Sequence, residues 1–123
     1  MVRKISSSSE LVKILKTTDK KGVLVKFSAE WCAPCKYLEH QMKNVEEKLN
    51  EKVEVVEVDV DELPSLAKDF AIFAVPTLVL IPIYRVKVNS DGSVDVPVNR
   101  RITGSVDGNT ILRWIDEELI EEQ

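Results

Sequence analysis

Apolar residues recur along this chain with two periods, and each change of period marks an element. Val2 to Ile5 reads as a short first strand. Ser7 followed by Glu10 fits a capping box, and Leu11, Ile14 and Leu15 then share one helical face. That helix is expected to end near Thr18-Asp19, with Gly22 opening the next strand. Val23 to Phe27 is almost continuously apolar, as strands buried on both faces are, with Lys26 the exception. Leu38, Met42, Val45 and Leu49 follow at spacings of 4, 3 and 4, which predicts one amphipathic helix from Pro34 to Asn50. Val53 to Val60 reads as the third strand. Asp61-Glu62-Leu63-Pro64 opens a short helix, and Thr77 to Ile81 is a further apolar strand. Asp107 can cap a last helix carrying Ile111, Trp114, Ile115 and Leu119, and the acidic end from Glu117 to Gln123 reads as a solvated tail.

Between Ile83 and Val98 the period is 2. Tyr84, Val86 and Val88 alternate with charged or amide residues, and so do Val94, Val96 and Val98, which predicts a hairpin with one apolar face. Directly opposite residues of an antiparallel pair share a face, so even positions must oppose even ones. A three-residue loop, Ser90-Asp91-Gly92, satisfies this by pairing Val88 with Val94 and Val86 with Val96, with Gly92 at the left-handed position. Pro97 belongs at an edge. Strand–helix–strand–helix–strand at the start implies right-handed crossovers and parallel pairing. The expected fold class is α/β: a central mixed sheet of three parallel strands and an antiparallel hairpin, with helices on both faces, in one domain over residues 1–123.

Composition narrows the function classes. Charged residues make up 31% of the chain and the net charge is -4, with lysine and arginine scattered and no basic stripe of the kind that grips nucleic acid. Arg100-Arg101 reads as a solvated strand end. No apolar run has the length of a membrane span, and Met1 to Ile14 lacks the apolar core of a secretory leader. A cytoplasmic location is therefore expected, in which a cysteine pair cycles rather than acting as a permanent staple.

The chemistry concentrates at Trp31-Cys32-Ala33-Pro34-Cys35-Lys36, which holds both cysteines of the chain. Residues three apart share a helical face, so one turn brings the thiols within reach of a disulfide. The first turn of a helix carries unpaired N–H groups and the positive end of a dipole, both of which favour a thiolate. Pro34 suits that turn because its missing N–H has no partner there. Zinc would want four nitrogen or sulfur ligands, and only two Cys and one His, His40, are present, so no metal is expected. Met42 lies on the apolar stripe as core filling, and His40 lies off it. Lys26 and Glu57 are opposite charges on two otherwise largely apolar strands expected to be neighbours, and burial would drive them to pair.

The cysteine motif resembles the active site of the thioredoxin family. The resemblance extends to Pro64, Leu66-Ala67, Phe70 and Val75-Pro76-Thr77, and to Gly104 before the final helix; it covers most of the chain apart from Ile83 to Val98. It implies a thioredoxin fold and a thiol–disulfide oxidoreductase that reduces protein disulfides as a monomer. Cys32 would be the exposed nucleophile, and the more buried Cys35 would attack the mixed disulfide and release substrate. Trp31, Ala33, Pro34, Val75, Pro76 and Gly104 would form the substrate surface, with a cis peptide bond before Pro76. The implied electron donor is an NADPH-dependent flavoprotein reductase, and the dithiol itself would need no cofactor. Two departures stand out. The family often kinks the long helix with a proline that is absent here, which predicts a straighter helix. It also places an Asp where Lys26 stands and a Lys where Glu57 stands, so the signs are exchanged at the positions expected to tune the thiol and move its proton. A disulfide oxidase or isomerase, or a binding module without catalysis, would use the same fold.

Overall fold

The strands and helices follow the apolar pattern closely in a computed structural model, which describes residues 2–120. The strands β1 (Arg3–Lys4), β2 (Gly22–Ser28) and β3 (Glu54–Asp59) pair in parallel, and β4 (Thr77–Pro82) and β7 (Arg101–Thr103) complete the sheet antiparallel, in the order β1-β3-β2-β4-β7. Every residue of the central β2 is buried, as its unbroken apolar run requires. Helices α1 (Ser8–Thr17) and α4 (Pro64–Asp69) help cover one face, and α2 (Ala33–Asn44), α3 (Glu46–Lys52) and α5 (Gly108–Glu118) the other.

The predicted caps form. Ser7 Oγ accepts from the Glu10 N–H, while the Glu10 carboxylate reaches back to Ser6 rather than to Ser7, accepting from its N–H at 3.1 Å. Asp107 caps α5 through the Thr110 N–H. Trp114 and Leu119 are half-buried against the core of the α2–α5 face. The acidic end is helical and exposed at Glu117, and the tail expected at 121–123 lies outside the described residues.

Three expectations are corrected. The helix predicted from Pro34 to Asn50 is broken: Val45 leaves helical geometry (φ -118°, ψ 17°) and separates α2 from α3. The break occurs without proline, where α5 packs closely on α2. The start of α5 comes so close that a Cβ on Gly108 would lie 2.8 Å from the Gln41 carbonyl oxygen, and the Gly108 N–H donates to the Gln41 side chain. The apolar stripe survives it, with Leu38, Met42 and Leu49 buried.

The hairpin has the derived register but a different place. β5 (Lys87–Val88) and β6 (Val94–Asp95) pair Val88 with Val94, and the left-handed residue is Gly92 (φ 89°). The pairing stops short of Val86 and Val96, because Ile83–Arg85 closes into a 3-10 turn first. The ribbon forms its own two-stranded sheet. Val86, Val94, Val96 and Val98 pack on the α1–α4 side of the core, and Lys16 of α1 holds the tip through the Gly92 carbonyl. The antiparallel partner of β4 is instead Arg101–Thr103.

Arg100-Arg101 is therefore not a solvated strand end. The Arg101 guanidinium donates to the carbonyls of Val98, Phe70 and Ala71, the last two at the end of α4. Ala71 adopts a left-handed conformation there (φ 54°). Arg100 Nε lies 3.0 Å from the Glu118 carboxylate, an ion pair off the line of its N–H.

Candidate active site

The path from β2 into α2 brings the cysteines together. Cys32 is the N-cap of α2, its own N–H bonded back to the Ala29 carbonyl and its sulfur 3.1 Å from the Cys35 N–H. Ala33 and Pro34 form the first turn, and Cys35 lies one turn in, bonded to Cys32 as a disulfide with Cα atoms 5.3 Å apart. Neither sulfur is favoured by exposure: Cys32 and Cys35 are each 3% exposed. This corrects the expectation of an exposed Cys32. Both cysteines pack against Ala29, with Val60 and Val75 packed over them. The two still differ in position: Cys32 stands at the helix end, where unpaired N–H groups gather, and Cys35 faces the sheet.

The other expected surface residues converge on the same spot. Trp31 is 71% exposed, and its indole N–H donates to Asp61 at 2.8 Å, which holds the ring beside the disulfide. The Val75-Pro76 peptide bond is cis and Pro76 is buried. The Gly104 N–H donates to the Pro76 carbonyl at 2.8 Å, binding the loop to the end of β7. Gly104 has φ 93° and open space where a Cβ would project, so backbone conformation rather than internal crowding calls for glycine. Phe73, which the pattern did not single out, is 94% exposed two residues before Val75.

Beneath Cys35 the sheet is charged. Lys26 lies opposite Glu57 and Ser28 opposite Asp59 across β2 and β3, and alternate residues of a strand share a face, so all four side chains lie on the side from which Cys35 approaches. Lys26 Nζ is 3.1 Å from the Glu57 carboxylate, with side-chain exposures of 3% and 26%. The expected pair is formed, and Lys26 does not reach solvent. Lys4 of β1 lies on the other side of Glu57 in register, but its amine bonds to Glu62 at 2.7 Å. That hydrogen bond holds the Lys4 amine above its ordinary range, against a smaller opposing effect of desolvation. A cavity of about 470 Å³ separates this floor from α2, and Lys26, Glu57, Asp59 and Cys35 all line it. Asp59, 7% exposed, was missed in the sequence. Its signal was present: it stands two residues after Glu57 and so shares its face.

Among the described residues no group of three or more His, Cys, Asp or Glu could hold a metal ion, and no helix is long and apolar enough to cross a membrane.

The Thioredoxin family model matches residues 3–108. Thioredoxin H2 of Arabidopsis thaliana is 46% identical over 61 residues, which cover 50% of this chain and 45% of that protein. The chain thus spans less than half the length of that relative. The thioredoxin of Oryctolagus cuniculus is 38% identical over 77 residues, 63% of this chain and 72% of the relative. Among solved structures, chloroplastic thioredoxin z superposes with a TM-score of 0.72 at 29% identity, covering 94% of this chain and 92% of that one.

Proposed function

The chain belongs to the thioredoxin family, and on that premise we propose that it is a thiol–disulfide oxidoreductase that reduces protein disulfides. The observation that carries this is the Cys32–Cys35 pair at the N-terminus of α2, facing the Val75-Pro76 loop. In the reduced protein the Cys32 thiolate attacks a substrate disulfide, forming a mixed disulfide and expelling one substrate thiolate. Cys35 then attacks the Cys32 sulfur, the Cys32–substrate bond breaks, and the second substrate thiolate leaves. Trp31, Ala33, Pro34, Val75 and Gly104 offer the surface, and the backbone beside Pro76 receives the substrate as an added strand. Dithiol and disulfide exchange needs no bound cofactor. Electrons return from an NADPH-dependent flavoprotein reductase, and the protein works as a cytoplasmic monomer.

Lys26 and Glu57 set the poise of the pair. An ammonium in the wall of the cavity behind Cys35 favours its thiolate. Stabilising the reduced form makes a dithiol more oxidising, by roughly 30 mV for every ~1.4 kcal/mol. The potential is therefore expected to be less reducing than that of relatives with a carboxylate at this position, which is the one feature that leans toward an oxidase or isomerase. The test of the main reading is insulin reduction with dithiothreitol as donor: clear acceleration of insulin precipitation is expected, and none would exclude a general reductase. A redox titration of the dithiol then separates reductase from oxidase.

A further inference from the structure

We infer that Asp59 accepts the proton of the Cys35 thiol when Cys35 resolves the mixed disulfide, with a water molecule in the cavity as carrier. The inference rests on the dithiol reading above and assigns a role that the sign exchange at Lys26 leaves vacant. Cys35 is 3% exposed and lines this open cavity, so a water within the cavity is placed to take its proton.

The cavity's charged groups narrow the acceptor. They are Lys4 on β1, Lys26 on β2, Glu57 and Asp59 on β3, and Glu30, Lys36 and Glu39 around the start of α2. The lysines are donors only while charged. Glu30 and Glu39 are exposed and belong to the rim. Glu57 holds the Lys26 ammonium, and a proton on Glu57 would leave that buried cation without its counter-ion. Asp59 remains: a buried carboxylate on the cavity floor that accepts from two backbone N–H groups, while the Lys4 amine, bonded to Glu62, acts on it only through its charge.

Asp59 is also held in place. Its Oδ1 accepts from the N–H groups of Asp61 (2.8 Å) and Glu62 (3.2 Å), which closes the turn after β3 with one of its two carboxylate oxygens. The cavity is polar and roomy enough for the water. The S–H proton passes through the water to Asp59. The freed sulfur electron pair forms the Cys32–Cys35 bond as the Cys32–substrate bond breaks, and the substrate departs as a thiolate. Asp59 later returns the proton to the leaving thiolate or to solvent.

The division of labour between the two oxygens supplies the test. Asp59→Asn keeps an Oδ1 for both turn N–H groups and removes the base. Reduced protein is mixed in stopped flow with an aromatic disulfide whose released thiolate absorbs visible light. The first release reports Cys32 attack and shows that the protein is folded and reactive; the second reports resolution by Cys35. In Asp59→Asn the second release should slow on the order of a hundredfold near neutral pH. It should climb steadily with rising pH, as hydroxide takes over, where the wild type has already levelled off. A Glu39→Gln variant should match the wild type. An unchanged second release in Asp59→Asn overturns the assignment, as does loss of the plateau in Glu57→Gln alone. A wild type with no first release would instead overturn the dithiol reading.

Discussion

The two faces of β2 carry opposite characters. Its odd-numbered face, Val23, Val25 and Phe27, stays apolar from end to end, with Val56, Val58, Val79 and Ile81 beside it in register or in the same cluster. Its even-numbered face begins the same way, with Leu24 beside Val55 and Leu80, then turns polar at Lys26 and Ser28 opposite Glu57 and Asp59. The polar half of that face is where Cys35 lies. One face is therefore built for packing. The other gives up part of its apolar packing to place charge under a sulfur.

Several substitutions sharpen or break this contrast. The largest effects should come from the cysteines. Cys35→Ser should accumulate mixed disulfides that denaturing gels without reductant reveal, and Cys32→Ser should capture none. Capture by the Cys32 variant would reverse the roles drawn from their places on α2. On the apolar face, Phe27 is 0% exposed and its ring centroid lies 5.2 Å from that of Phe70. Phe27→Ala should lower the unfolding free energy by about 3–5 kcal/mol in denaturant titration. Its thiol titration should stay close to wild type; a thiol shift as large as that of a Lys26 variant would mean that the two faces are not separable.

Lys26→Met should do the reverse. Glu57, 26% exposed, can turn to water once its partner is gone, so the loss of stability should fall below the ~3–5 kcal/mol of a fully buried orphaned charge. The thiol pKa should rise and the potential become more negative, each pKa unit corresponding to about 1.4 kcal/mol or roughly 30 mV. No movement of either would remove Lys26 from the poise of the site.

Replacing residues 87–95 with a tight turn should leave reduction of small disulfides intact while lowering thermal stability, since Val94 packs on the odd-face core. Lost activity in a folded variant would tie the ribbon to the chemistry. The smallest effect is expected at Asp107, the cap of α5. The Thr110 N–H, and after it the Thr110 side chain, hold this carboxyl below its ordinary range. A depressed carboxyl stabilises the fold above its unfolded titration near pH ~4, and that contribution is lost as pH falls through the folded value. Asp107→Ala should therefore lower the denaturation midpoint slightly at neutral pH and leave it unchanged once the carboxyl is protonated.

The parts of this arrangement that were legible in the sequence rest on local or pairwise rules. The run from Val23 to Phe27, the caps at Ser7 and Asp107, the Val88–Val94 pairing and the Lys26–Glu57 pair each follow from periodicity or from burial of opposite charges. What stayed hidden depends on contacts distant in sequence. The break at Val45 lies where Gly108 comes close, the place of β7 needs β4, and the anchoring of Arg101 needs the end of α4. Asp59 is the instructive miss. Its position on the charged face could be counted from Glu57, but its burial beside the cavity that Cys35 also lines could not, because only the closed fold puts α2 above it.

The unequal burial of Lys26 and Glu57 also bears on how this sequence can drift. A carboxylate introduced at 26 while Glu57 remains would set like charges directly opposite each other across two strands, with Asp59 close by. Loss of Glu57 first would strand the more deeply buried ammonium. The path of least destabilisation begins with a neutral residue at 26, because Glu57 alone can be hydrated. Only after Glu57 is replaced does an acidic residue at 26 become tolerable. A two-residue exchange that looks reversible on paper thus has a preferred order, set by 3% against 26% exposure.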